Sequence, residues 1–174
     1  RKAQITLFVI IAILIVGLVV GFFIIKNKNS SPKIIIPEDI QPVYNFVQNC
    51  LKGTSENALI RIGEQGGYFL IFDEPSIEGR IPYYLQENQK SIPPRQEIQQ
   101  NLAGFVREEL SFCILNFKDF KEEYKIEYEL KNVSSQIYSD YVKFSLVYPI
   151  SIIKGEKSYQ LSDFSVSVPV RLGT

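Results

Sequence analysis

The chain has 174 residues, 19 basic and 19 acidic, with no His, no Met and no Trp. Without His it lacks the usual general base at neutral pH and the commonest zinc ligand, which excludes His-dependent catalysis and His-ligated metal sites. Arg1, Lys2, Lys26 and Lys28 precede residue 29 and every acid follows it, so the body is net negative, which argues against nucleic acid as a partner.

Residues 1–4, Arg1-Lys2-Ala3-Gln4, form a basic lead-in on the cytoplasmic side. Residues 5–25, from Ile5 to Ile25, are an unbroken apolar run. At the helical rise it spans roughly 32 Å, enough to cross a hydrocarbon core of about 30 Å. The run is too long for the apolar part of a secretory signal, and Phe22-Phe23-Ile24-Ile25-Lys26 offers no small-residue cleavage site. It reads as a transmembrane or filament-core helix, with membrane lipid or like helices as partners. Gly17 and Gly21 sit one turn apart within it, a spacing that lets two helix backbones approach and marks a candidate self-association face.

Residues 26–37 are a polar linker in which Pro32 and Pro37 stop the apolar helix from simply continuing. Residues 38–174 are expected to form one extracytoplasmic α+β domain. Its first helix starts with Glu38-Asp39 behind Pro37, acids placed where the helix dipole favours them. The helix carries the apolar stripe Ile40, Val43, Val47, Cys50/Leu51, continues past a kink at Gly53 through Ala58–Gln65, and ends at Gly66-Gly67. Tyr68 to Phe72 is a strand candidate, and Asp73 to Pro94 is loop-like with a short strand over Ile81–Leu85. Pro93-Pro94 introduces a second helix over residues 95–116, with the stripe Leu102, Val106, Leu110, Cys113. The period then changes to two: Tyr124, Ile126, Tyr128 and Leu130 alternate with charged residues, and Tyr141–Ile153 and Ser158–Leu172 follow as strands. Pro149 and Pro169 belong at edges or bulges. Two helices followed by serial strands predict an antiparallel sheet. The first residue is expected not to be the start of the gene product, and Val168 to Thr174 reads as a strand leading onward.

Cys50 and Cys113 are the only cysteines. A disulfide between the two helices would stabilise by roughly 4 kcal/mol in the chain-entropy model and fits an oxidising compartment. The alternative is a pair of buried free thiols. Asn29-Ser30-Ser31 and Asn132-Val133-Ser134 match the N-glycosylation triplet, so Asn29 and Asn132 are candidate acceptors. Together with the cysteines they place the body outside the cell. Tyr83 and Tyr84 are a candidate recognition patch for a cell-surface partner. The carboxylates at Asp73, Glu74 and Glu78 match no calcium-loop spacing. Gly63 to Gly67 follows a helix and precedes a strand, the reverse of a dinucleotide site. No cofactor, metal or catalytic constellation is expected, so the chain reads as a non-enzyme.

The opening Arg1 to Phe8 resembles the class III signal of archaeal type IV pilin-like proteins: a basic pair, a small residue, then Gln and an apolar helix. The resemblance implies cleavage between Ala3 and Gln4. Where many pilins carry Glu at the fifth position after the cut, this chain has Phe8. Tyr44 to Leu51 and Gly66-Gly67-Tyr68 resemble uncharacterised archaeal membrane-anchored surface proteins. The implied function is a pilin-like structural subunit for attachment, assembling with itself or with other pilin-like subunits. The alternative is a single-span protein displaying a binding domain without a filament.

Overall fold

The computed structural model describes residues 12–17, 36–69, 76–77, 81–86, 88–130 and 132–172. Contacts divide the chain after Ile36. Residues 12–17 are helical, with Ile13, Leu14, Ile15 and Val16 exposed. Among the described residues no helix is long and apolar enough to cross a membrane. The rest of the 5–25 run lies outside them.

From Pro37 onward the domain is α+β. A 3-10 turn, Glu38–Ile40, leads into helix α1, Gln41–Glu64. The helix runs unbroken through Gly53, because the stripe Val43, Val47, Cys50, Leu51, Thr54, Ser55, Ala58, Leu59 and Ile62 stays buried past it. Packing of one continuous face outweighs the roughly 1 kcal/mol helix cost of that glycine. Gly66 and Gly67, at φ +63 and +94, end the helix. The Gly67 N–H bonds the Ile62 carbonyl (2.8 Å) and the Gly66 N–H that of Gly63 (3.3 Å), the paired bonds of a left-handed helix cap.

A lobe follows, holding two antiparallel ladders: β1 (Ser76–Ile77) with β2 (Ile81–Pro82), and β3 (Leu85–Gln86) with β4 (Gln89–Lys90). Tyr68 and Phe69 are not in a strand, and Tyr83 and Tyr84 interrupt the one expected over 81–85. Helix α2, Arg95–Ile114, then returns antiparallel to α1, since Cys50 meets Cys113 while Arg61 lies over Phe105. It buries Leu102, Ala103, Val106, Leu110 and Ile114. That stripe passes beside Cys113, which is exposed, a correction to its expected place on the apolar face. A 3-10 segment, Leu115–Phe120, closes the helical half.

The sheet is β5 (Lys125–Tyr128), β6 (Asn132–Ile137), β7 (Val142–Lys154) and β8 (Lys157–Val168), all antiparallel about a central β7. Strands β5 and β6 lie end to end along one edge of β7, and β8 lines the other. Strand β6 was not foreseen; its inward residues are Val133, Ser135 and Ile137, and the central serine blurs the alternation. The β7–β8 hairpin closes over Gly155-Glu156 with Gly155 at φ +59, a turn conformation suited to glycine.

Pro149 sits in the middle of the central strand, at a register shift between Val147 and Ile150. The bulge absorbs its missing N–H donor. Between matching inward positions the chain goes from Phe164 to Leu161 on β8, from Leu146 to Ile150 on β7, and from Val133 to Tyr128 on β6–β5. Each strand spends one residue more than the last, which bends the sheet. The helices cover one face, α1 against β8 and α2 against β6. Tyr44 stacks on Phe164 at 5.5 Å, and Phe144, Leu146, Ile150 and Ile152 form the floor of the core.

Candidate functional site

At the C-terminal end of α2 the backbone does something that Leu, Asn and Phe rarely do. Leu115, Asn116 and Phe117 have φ of 45°, 55° and 53°, three successive left-handed residues. Each non-glycine residue held there costs about 1–2 kcal/mol. The segment is fixed on both sides. Two residues before Leu115, Cys113 is bonded to Cys50 across the helix pair, with a Cα separation of 5.7 Å. At its end Phe117 is 1% exposed, and its burial stabilises by about 1.5–3 kcal/mol.

Phe117 is the hub of an aromatic cluster. Its ring centroid lies 5.2 Å from Tyr128, 6.1 Å from Phe46, 6.2 Å from Tyr148 and 6.4 Å from Phe120. The left-handed turn swings Phe117 inward beneath the helix end and leaves Leu115 outside, 62% exposed beside Phe112 at 69%. Behind it lies a cavity of about 150 Å³, lined by Leu110, Ser111, Ile114, Asn116, Tyr128, Leu130 and Tyr148. The Tyr128 hydroxyl donates to Asn116 Oδ1 at 2.6 Å. Tyr148 is 3% exposed. Burial, with Tyr128 as a second cause, pushes its hydroxyl far above the ordinary tyrosine range, so it stays protonated and able to donate.

A polar cluster ties the start of the helical layer to the β7–β8 hairpin. Asp39 Oδ2 accepts from Lys157 Nζ at 2.8 Å and from the Tyr159 hydroxyl at 2.5 Å. The Tyr124 hydroxyl donates to the Asp39 carbonyl at 3.0 Å, and Lys154 pairs with Glu123 at 2.6 Å. The hydrogen bond from Lys157, then that from Tyr159, hold the Asp39 carboxyl below its usual range. The same contact raises Lys157. These groups satisfy one another and brace the fold.

The lobe presents the other concentration of apolar surface. Ile81, Tyr83, Tyr84, Leu85 and Ile92 are all exposed. Tyr84 is engaged: its hydroxyl donates to the Gly66 carbonyl and its ring stacks on Tyr68 at 6.4 Å. Tyr68 in turn donates to the Ser91 carbonyl. Tyr83, 47% exposed, is the more available of the pair.

Of the other expected site residues, Asn132 is exposed at the start of β6, with Arg107 Nη2 at 3.4 Å from its Oδ1. Gly17 has nothing near its Cα side among the described residues. Ala3, Gln4, Gly21 and Asn29 lie outside the described residues, as do Asp73, Glu74 and Glu78 of the acidic loop. Among the described residues the structure joins Cys50 to Cys113. The sequence reading missed the left-handed turn and its cavity. Only the density of aromatics from Phe112 to Tyr128 hinted at a ring cluster there.

No family model, no curated protein and no solved structure matches this chain.

Proposed function

We propose that the chain is a non-catalytic, membrane-anchored surface protein of the archaeal type IV pilin-like kind. Its apolar run at 5–25 anchors it or packs in a filament core, and its α+β domain stands outside the cell. One observation carries this reading: an uncharged 21-residue apolar stretch precedes, across the 26–37 linker, a domain whose helices are joined by Cys50–Cys113. Such a bond belongs to oxidising compartments. The Arg1-Lys2-Ala3-Gln4 lead-in and the Gly17/Gly21 spacing support assembly through the apolar helix.

The test is fractionation of native cells. Cell-surface shear fractions are imaged for filaments and probed for this chain, and its mature N-terminus is measured by mass spectrometry. Filaments containing a chain that starts at Gln4 support the reading. Retention of Arg1-Lys2-Ala3 overturns pilin-type processing, and recovery from cytosol overturns anchoring as well.

A second reading, display of a binding domain without a filament, is favoured by the exposed Tyr83, Leu85 and Ile92. They sit beyond the far end of α1, about 36 Å along that helix from its first turn. Recovery in carbonate-washed membranes, with none in sheared filaments, selects it.

A further inference from the structure

We propose that the cavity behind the left-handed turn is a binding site for one phenol-type ring, a chemistry shared by free phenols and tyrosyl side chains. The inference is independent of how the chain is anchored. Size sets the class: a part-open, mainly apolar cavity of about 150 Å³ has room for a single benzene-sized ring. The walls suit a ring too. Leu110, Ile114 and Leu130 are aliphatic, while Tyr128 and Tyr148 meet edge to face at 5.9 Å and offer both an edge and a face for aromatic stacking.

The polar groups decide for a hydroxyl-bearing ring over a plain one. Tyr148 is almost wholly buried on the cavity wall, yet its hydroxyl is not among the fully buried unpartnered atoms, which are Gln48 Oε1 and Ser55 Oγ; with no hydrogen bond among the described residues, it is reachable from the cavity. A hydroxyl without a protein partner at a cavity wall can bond an incoming polar group. Asn116 shares the wall; its Oδ1 is taken by Tyr128, which leaves its amide N–H groups for an incoming oxygen. A phenol oxygen can accept from one and donate to the other. The lip is the strained run Leu115–Phe117, and strain of this kind concentrates at ligand clamps.

The experiment uses the full chain in lipid nanodiscs with labelled Ile and Leu methyls, titrated with phenol, benzene and N-acetyltyrosinamide. Phenol is expected to shift the methyls of Leu110, Ile114 and Leu130 saturably, with a Kd of roughly millimolar order, and to leave Ile60 unmoved. Benzene is expected to bind several-fold more weakly, on the order of one hydrogen bond's contribution. Tyr148→Phe should remove that difference. Ser111→Trp, at an exposed position on the cavity wall, should abolish the shifts without disturbing the core. Matching shifts from N-acetyltyrosinamide assign the site to a tyrosyl side chain; shifts from phenol alone assign it to a free phenol. Non-saturable shifts, shifts that persist in Ser111→Trp, or an unchanged phenol-to-benzene ratio in Tyr148→Phe overturn the proposal.

Discussion

At one end of the α+β domain, Asp39, Tyr124, Lys157 and Tyr159 lock the first helical turn to the β7–β8 hairpin, and Tyr124 belongs also to a cluster of six rings with Phe46, Phe117, Phe120, Tyr128 and Tyr148. At the other, the lobe between the helices rests on ladders two residues long and on the hydroxyls of Tyr68 and Tyr84. The first end contains Phe117 at 1% exposure; the second leaves Leu85 62% and Ile92 61% exposed. The difference is one of constraint. Side chains from α1, α2 and the sheet converge on the cluster, so unfavourable backbone at residues 115–117 is tolerated there. Among its described residues the lobe is held by two-residue ladders and a few side-chain contacts, so it is expected to open before the rest of the fold.

The largest expected effect breaks the constrained end. Phe117→Ala removes the hub ring and should cost roughly 3–5 kcal/mol in urea unfolding of the oxidised protein. A cost under 1 kcal/mol would show that the cluster is not what holds the left-handed turn. Removing the disulfide with Cys50→Ser plus Cys113→Ser should cost roughly 4 kcal/mol, with exchange protection lost first at residues 110–120. The lobe is probed by Gly66→Ala. The new Cβ falls 3.0 Å from the Tyr84 hydroxyl oxygen at a φ of +63°, for an expected cost of about 1–2 kcal/mol. That cost should appear as faster proteolysis within 81–92 while β7 and β8 amides keep their protection. Uniform loss of protection would erase the contrast between the two ends. Leu115→Gly should do the opposite of most core-end changes. Leu115 is exposed and left-handed, so relief of strain outweighs the entropy cost of glycine and stability rises by up to about 1 kcal/mol.

How legible each end was in the sequence follows the same division. The α1 stripe from Ile40 to Leu51 and the Gly66-Gly67 stop could be read directly, because periodicity and glycine are local signals. The bulge at Pro149 was legible for the same reason: a residue without an N–H must sit where the ladder lapses. The left-handed turn was not, since Leu-Asn-Phe carries no glycine and its conformation is imposed by rings distant in sequence, Phe46 and Tyr148 among them. Cys113 was expected on the apolar stripe, whereas Ile114 is buried there, because spacing along a helix does not say which residue faces the partner. The cavity was invisible for a similar reason. Its walls come from α2, the left-handed turn, β5 and its exit, and β7, and only the bent sheet brings them together.

The smallest effect concerns Asp39, and its pH dependence has a definite sign. Its carboxyl lies below the ordinary value of 3.8 because Lys157 and then Tyr159 hydrogen-bond to it. A depressed acid contributes stability that is fully present above the unfolded value and is lost as pH falls through the folded one. Lys157 is raised from 10.5 by the same contact, so its contribution is present below that value and disappears as pH rises through the higher folded one. The pair should therefore contribute a plateau across neutral pH with an acid and an alkaline shoulder. Exposure to solvent keeps the plateau low. Asp39→Asn should lower the urea midpoint slightly at pH 7, and the gap to wild type should close below pH 3.8. A gap that persists at acid pH would mean that Asp39 acts through the helix start, where its backbone carbonyl meets Tyr124, rather than through its charge. The constrained end would then owe its order to packing and backbone hydrogen bonds alone.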